Sequence, residues 1–300
     1  MFVKSCSLAT LPIVESFENR GASFALNLKL YAKISDGSGN WETQILKEKE
    51  IKALLSEICE KFSIDTSLLD EIDITVSRDF PSGWGLGERE AEIVAIVIGF
   101  LGMAAKKTRG MIAELIIDKY LKTQVIFIGN RIVNPPEILE MMSNYSHEFS
   151  RLSAALFGNF CVTQSTKILR RGEMEDLSLV IFKEKAPEAD IKNLRNELEI
   201  LWNEALKGNL YVAMKLNSEL INPNSKVFDT LAKVSTLEGT IALLSRNETE
   251  LLNWMKKLEG KKIVKSSTTT VGSIVMENPR RKFRVSQFMK IKGDQPYVYL

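Results

Sequence analysis

The chain has 300 residues, 45% of them apolar and 26% charged, with a formal net charge of +2. That is a globular composition with length enough for two compact domains or one large one, and the near-neutral balance excludes an overall electrostatic pull toward nucleic acid or a membrane surface. The longest apolar run, near Ile93–Ala105, is too short to span a bilayer.

Residues 2–14 read as a strand that ends near Pro12. Ser23–Ser35 alternates apolar and polar residues, the pattern of a half-buried strand. Asp36-Gly37-Ser38-Gly39-Asn40 is a turn, and Trp41–Leu46 is its predicted hairpin partner. Glu48–Phe62 places Ile51, Leu54, Leu55, Ile58 and Phe62 at helical spacing. Ile72–Val76 is a strand, and Arg89–Ala105 is a helix apolar nearly all round, hence buried.

Thr108–Tyr120 is predicted as a further helix and Gln124–Ile128 as a short strand. Asn134-Pro135-Pro136 breaks the chain and opens a helix over Glu137–Tyr145. Ser150–Leu156 is a small-residue helical stretch, and Phe157-Gly158-Asn159 turns into a strand over Phe160–Thr163. Further on come a strand Leu177–Phe182, helices Asp190–Ala205 and Leu210–Leu220, a strand Thr240–Ser245, a helix Glu248–Glu259 and a strand Lys262–Lys265. The tail from Pro279 to Arg284 is locally basic and reads as a solvated extension. Strands and helices mix without strict alternation, which favours an α+β fold.

Cys6, Cys59 and Cys161 are scattered, no CxxC pair exists, and His147 is the only histidine, so a zinc site is not expected. Isolated thiols suit a reducing cytoplasm, and no secretory signal is read in the first residues. A Ser-His-Asp triad would need His147, and no GxSxG elbow accompanies it. His147 reads as a surface or capping residue.

The most informative segment is Pro81-Ser82-Gly83-Trp84-Gly85-Leu86-Gly87-Glu88-Arg89-Glu90-Ala91, between a strand and the apolar helix. Three glycines in five positions let backbone N–H groups approach a ligand, and the following helix aims its positive end there. This is the shape of a phosphate-cradling loop, but Glu88 and Glu90 stand where an anion would rest. The same loop also reads as a plain strand-to-helix turn, with Trp84 either stacking on a base or capping the helix.

The order of elements, with Asn19-Arg20-Gly21-Ala22-Ser23-Phe24 before a long strand, the loop Pro81–Ala91, Trp202-Asn203-Glu204-Ala205 with Gly208-Asn209, and Thr270-Val271-Gly272-Ser273-Ile274 near the end, resembles the GHMP superfamily of small-molecule kinases and, within it, archaeal shikimate kinase. The resemblance covers about residues 5–276, with a longer connection around 103–136. It implies a two-domain α+β fold: a ribosomal-protein-S5-domain-2-like N-terminal domain over 1–165, a ferredoxin-like C-terminal domain over 166–276, and a basic extension over 277–300. It further implies ATP and Mg²⁺ as cofactors, held on Pro81–Ala91, and transfer of the γ-phosphate to the 3-hydroxyl of shikimate. The acceptor would lie near Asn19, Arg20, Gly21, Ala22 and Ser23 and near Ser150 and Arg151; the Arg20 guanidinium suits a carboxylate, and the same segment reads equally as a solvated bend.

The residues depart from the devices this resemblance implies. The serine run of the phosphate loop is replaced by Gly87-Glu88-Arg89-Glu90. Each partly desolvated carboxylate beside a triphosphate costs binding energy, on the order of 1 kcal/mol or more, although Arg89 could offset this and a glutamate could hold Mg²⁺. The paired aspartates that serve the acceptor hydroxyl fall on Ser150 and Arg151, neither a general base at neutral pH, with Glu148 as the nearby substitute. The late glycine-rich loop keeps only Gly239 and adds Glu238. Two readings stay open: a shikimate kinase-like enzyme with a small-molecule substrate, or a non-catalytic member of the fold that binds a ligand, regulates or interacts. Glu148 facing the glycine loop would favour the first; Arg151 filling that space would favour the second.

Overall fold

The computed structural model describes residues 1–108, 110–116, 122–133, 135–223, 229–277 and 281–284. Two long strands come first, β1 (Phe2–Phe17) and β2 (Arg20–Asp36). They form an antiparallel hairpin whose two-residue tip, Glu18-Asn19, is left-handed at both positions. That is the turn geometry matching the twist of paired strands. β1 continues past Pro12 because its residues Leu8–Glu15 are buried on both faces.

β2 forks the sheet. Its far half, Leu30–Asp36, pairs with β4 (Ile72–Arg78), and its near half, Arg20–Phe24, pairs with β8 (Phe160–Gln164). β9 (Lys167–Gly172) extends β8. Between β2 and β4 lie β3 (Trp41–Glu42) and α1 (Glu48–Phe62). The predicted hairpin over Trp41–Leu46 does not form: β3 is two residues long and pairs in parallel with β4. What holds Thr43–Leu46 is a buried carboxylate, since Glu92 Oε1 accepts from Gln44 N at 3.0 Å.

Glu92 belongs to α2 (Glu88–Lys107), buried from Glu90 to Ala105 and packed on β1 and β2. After it the predicted helix Thr108–Tyr120 is replaced by β5 (Met111–Ile116), paired with β6 (Lys122–Ile128); residues 117–121 lie outside the described ones. Its apolar residues Met111, Ile112 and Ala113 have β-sheet partners in Phe127, Ile126 and Val125, and that pairing overrides local helical spacing. β7 (Arg131–Val133) completes this small sheet on one side. Then follow α3 (Pro135–Ser143) and α4 (Phe149–Phe157).

The C-terminal part begins with β10 (Ser178–Lys183), α5 (Arg195–Lys207) and α6 (Leu210–Ile221). β11 (Ala232–Ser235), β12 (Thr240–Ser245), α7 (Glu248–Lys257) and β13 (Ile263–Ser267) follow. The sheet order β11-β12-β10-β13 is the ferredoxin-like one. Val180, Phe182, Ile241 and Leu243 pack with Leu251 and Trp254 of α7 and with Leu258 just after it, while Leu179, Ile181, Ala242 and Leu244 join the main core shared with β1 and α2. The chain ends with β14 (Ile274–Val275) on the outer edge of β1 and β15 (Arg281–Arg284) in parallel with β5. The rest of the basic tail, 278–280 and 285–300, lies outside the described residues. Among the described residues no helix is long and apolar enough to cross a membrane.

Candidate functional site

β4 delivers the chain into the glycine loop, and α2 leaves it. Gly83, Gly85 and Gly87 have φ of +69°, +63° and +66°, left-handed values that side chains rarely adopt. The loop therefore has the backbone of an anion cradle. The anion it holds is its own: Glu88 turns back so that Oε1 accepts from Trp84 N at 3.0 Å, and Arg78 balances Oε2 at 3.3 Å. Arg89 points elsewhere, to Glu50 at 2.8 Å and the Tyr145 carbonyl at 3.0 Å. Trp84 is 7% exposed, packed rather than available for stacking on a base. Lys183 donates to the Gly83 carbonyl and Thr240 to that of Trp84.

Arg151, on α4, sits within this loop. Its side chain is 3% exposed, and Nη1 donates to the Gly85 carbonyl at 2.8 Å. Nε lies 2.8 Å from Glu148 Oε2, and Nη2 lies 3.7 Å from Glu15 Oε2. From the other side the Glu238 side chain occupies the space that a Cβ on Gly85 would need. Glu15 is 2% exposed; its Oε1 accepts from Leu237 N at 3.3 Å, and its N donates to Asn217 on α6 at 3.2 Å. Glu90 is buried beside the same group and accepts from Ser146 Oγ at 3.1 Å.

Four carboxylates thus surround one buried guanidinium: Glu15 and Glu90 are buried with it, Glu148 is partly exposed and Glu238 is exposed. Burial alone would push Arg151 down, but Glu148, Glu15, Glu238 and Glu90 more than reverse this and keep it charged. Burial raises Glu15 to about 8, with Arg151 opposing and Glu148 and Glu238 adding to the rise. Burial followed by Glu148 likewise raises Glu90, and burial raises Glu92. A carboxyl whose folded pKa is raised stabilises fully below its unfolded value and less as pH climbs through the folded one. Conformational stability is therefore expected to fall between about pH 4.5 and about pH 8, on the order of 1.4 kcal/mol per pH unit for each group titrating. Urea denaturation at pH 5 and pH 8 checks this; greater stability at pH 8 would mean these groups are not buried as acids.

The acceptor-side residues gather at a cavity of about 420 Å³. Its walls are the β1–β2 tip (Ser16–Gly21), the α3–α4 connection (Ser143, Ser146–Ser150) and the β8–β9 tip (Ser165, Thr166). Asn19, Arg20, Gly21, Glu148 and Ser150 are brought together there, and Ser23 Oγ lies 2.9 Å from Ser150 Oγ beneath it. Ala22 is buried in the strand. Arg20 is engaged by Glu199 at 2.7 Å and stacks on Trp202, with 5.2 Å to the ring centroid. Glu148 accepts from Ser16 Oγ at 3.1 Å and keeps 26% of its side chain exposed, so it belongs both to the cavity and to the cluster around Arg151. His147 is exposed at the rim. A more open hollow of about 550 Å³ runs along exposed α1 and brings no convergent polar groups from other elements.

Sequence reasoning missed Glu15, Asn217 and Thr10. A signal for Glu15 was available: it is the lone acid in the otherwise apolar or small run Leu8–Phe17. Mg·ATP does not fit the arrangement observed. The Trp84 amide is taken by Glu88, the space by Glu238 and Arg151, and the surrounding groups are carboxylates. Among the described residues no group of three His, Cys, Asp or Glu is arranged to hold a metal ion.

No family model matches the sequence. The fold, however, is that of the GHMP small-molecule kinases. The chain is similar to a structure described as homoserine kinase from Listeria monocytogenes, at 15% identity and a TM-score of 0.62, over 92% of this chain and 100% of that one. It is likewise similar to mevalonate kinase from Methanococcus jannaschii (16% identity, TM-score 0.56, 90% and 98% covered). A D-glycero-D-manno-heptose 1-phosphate kinase from Bacteroides thetaiotaomicron gives 14% identity, a TM-score of 0.58, and 92% and 99% coverage.

Proposed function

We propose that this chain is a GHMP-fold protein that binds a small hydroxylated molecule in the hairpin-tip cavity without phosphorylating it. The observation that carries the reading is Arg151, buried in the glycine loop and bonded to the Gly85 carbonyl, with Glu238 filling the loop from the opposite side. The cavity supports a polyhydroxylated ligand, because Ser16, Asn19, Ser143, Glu148, Ser165 and Thr166 offer paired donors and acceptors. Three buried, unpaired cysteines support a reducing, cytoplasmic setting.

A second reading is phosphorylation of the shikimate 3-hydroxyl by Mg·ATP, as the family resemblance implies. It is favoured by the fold and by Glu148, whose partly exposed carboxylate could take a proton from an acceptor hydroxyl in the cavity. Calorimetric titration of Mg·ATP at pH 7, with and without shikimate, separates the two. The expected result is no heat from the nucleotide. Binding at millimolar Kd or tighter, worth about −4 kcal/mol or more, followed by shikimate-dependent ADP release, would overturn the first reading in favour of the second.

A further inference from the structure

We propose that the buried cluster centred on Arg151 is a proton-operated latch: with Glu15 protonated it locks the glycine loop against α4 and the turn at Leu237–Thr240, and loss of that proton to water releases the loop. This rests on the reading that the loop is closed by the chain's own side chains. Arg151 ties the loop to α4 through the Gly85 carbonyl and Glu148, and Glu15 ties both to the late turn through Leu237 N.

The charged groups facing Glu15 are Arg151 on α4, Glu148 just before α4 and Glu238 on the β11–β12 turn, with neutral Asn217 on α6 beside its backbone amide; Glu90 on α2 faces Arg151 and Glu148 in the same cluster. Two of those facing it are acids and one is a cation, so a charge on buried Glu15 adds to an excess of negative charge. The lock is also under-satisfied: Arg151 Nη2 and the Thr10 hydroxyl beside Gly87 are buried and make no hydrogen bond. An open, hydrated loop returns Glu15 to ordinary solvation, and so binds fewer protons than the closed one. By linkage, each pH unit between the ordinary carboxyl range and the raised value shifts the closed-to-open ratio up to tenfold toward open. The three left-handed glycines supply a backbone able to swing.

Trp84 reports the state of the loop. The test is the indole N–H spectrum of the full-length ¹⁵N-labelled protein from pH 6 to 9.5, with the Trp84 signal assigned by Trp84→Phe. We expect that signal to shift or broaden as pH rises, with a midpoint between the ordinary carboxyl range and the raised Glu15 value, about 8. The Trp41 and Trp202 indoles, held by the Ile72 and Thr163 carbonyls at 3.1 Å each, should stay in place. Glu15→Gln should abolish the transition. A flat Trp84 signal in the unaltered protein, or the same transition in Glu15→Gln, overturns the latch. If Glu15→Gln does not fold, Glu238→Gln serves instead: removing that neighbouring charge should move the midpoint to lower pH, and an unmoved midpoint overturns the proposal. Nucleotide binding at pH 7 would overturn the proposed function and leave this titration standing; a flat Trp84 signal without nucleotide binding overturns only the latch.

Discussion

Replacing Arg151 with methionine is expected to cost about 3–5 kcal/mol of stability at pH 7, the range found when one partner of a buried ion pair is removed. Methionine fills much of the same volume, so the loss is electrostatic in origin. Glu148 loses its contact at 2.8 Å, and Glu15, Glu90 and Glu238 lose the only cation among them. The Gly85 carbonyl loses its donor as well. Urea denaturation measures the change. Glu15→Gln alone should be close to neutral, because the native carboxyl is already held protonated at that pH. Adding Glu15→Gln to Arg151→Met should recover part of the loss, since the two sites share one interaction. An Arg151→Met protein as stable as the original would mean that water, not burial, surrounds the cluster.

Gly158→Ala is the second large effect, expected at about 3 kcal/mol or more. Gly158 follows α4 with φ +71° and ψ −173°, a region reached essentially by glycine alone. A Cβ there would meet the Val271 carbonyl oxygen at 2.7 Å, its carbon at 2.8 Å and Gly272 N at 3.0 Å. All three are backbone atoms and cannot swing aside as a side chain would. Gly129→Ala is the internal control: φ is +56° but nothing lies within 4 Å of the new carbon, so only the conformational penalty of about 1–2 kcal/mol remains. Equal losses in the two variants would show that the close approach at Gly158 is not rigid.

Periodic segments were legible. The apolar spacing of α1 and the all-round apolarity of α2 predict two helices that form almost as read, because each buries the face its pattern exposes to the core. Segments whose structure depends on distant partners were not. The strand at Met111–Ile116 is decided by Lys122–Ile128, and β3 by its parallel partner β4. β9 is mostly exposed and charged and carries no core-facing pattern at all. The glycine loop is readable because left-handed backbone demands glycine, and the sequence placed Glu88 and Glu90 in it. What the sequence cannot give is direction: Glu88 folds back onto Trp84, Arg89 leaves for Glu50, and Arg151 arrives from α4 to close the loop. Glu15 joins them from β1, brought close only once the C-terminal turn packs on the N-terminal hairpin.

The outer edge of β1 is covered by residues made more than 250 positions later. β14 pairs with Ser5 and Cys6, and the Gln124 amide grips Val275 from the other side, accepting from its N at 2.7 Å and donating to its carbonyl at 2.8 Å. During synthesis the first strand to leave the ribosome therefore keeps part of its edge open until most of the chain has been made. A nascent or C-terminally shortened chain carries an unpaired, largely apolar ribbon able to pair with any other strand.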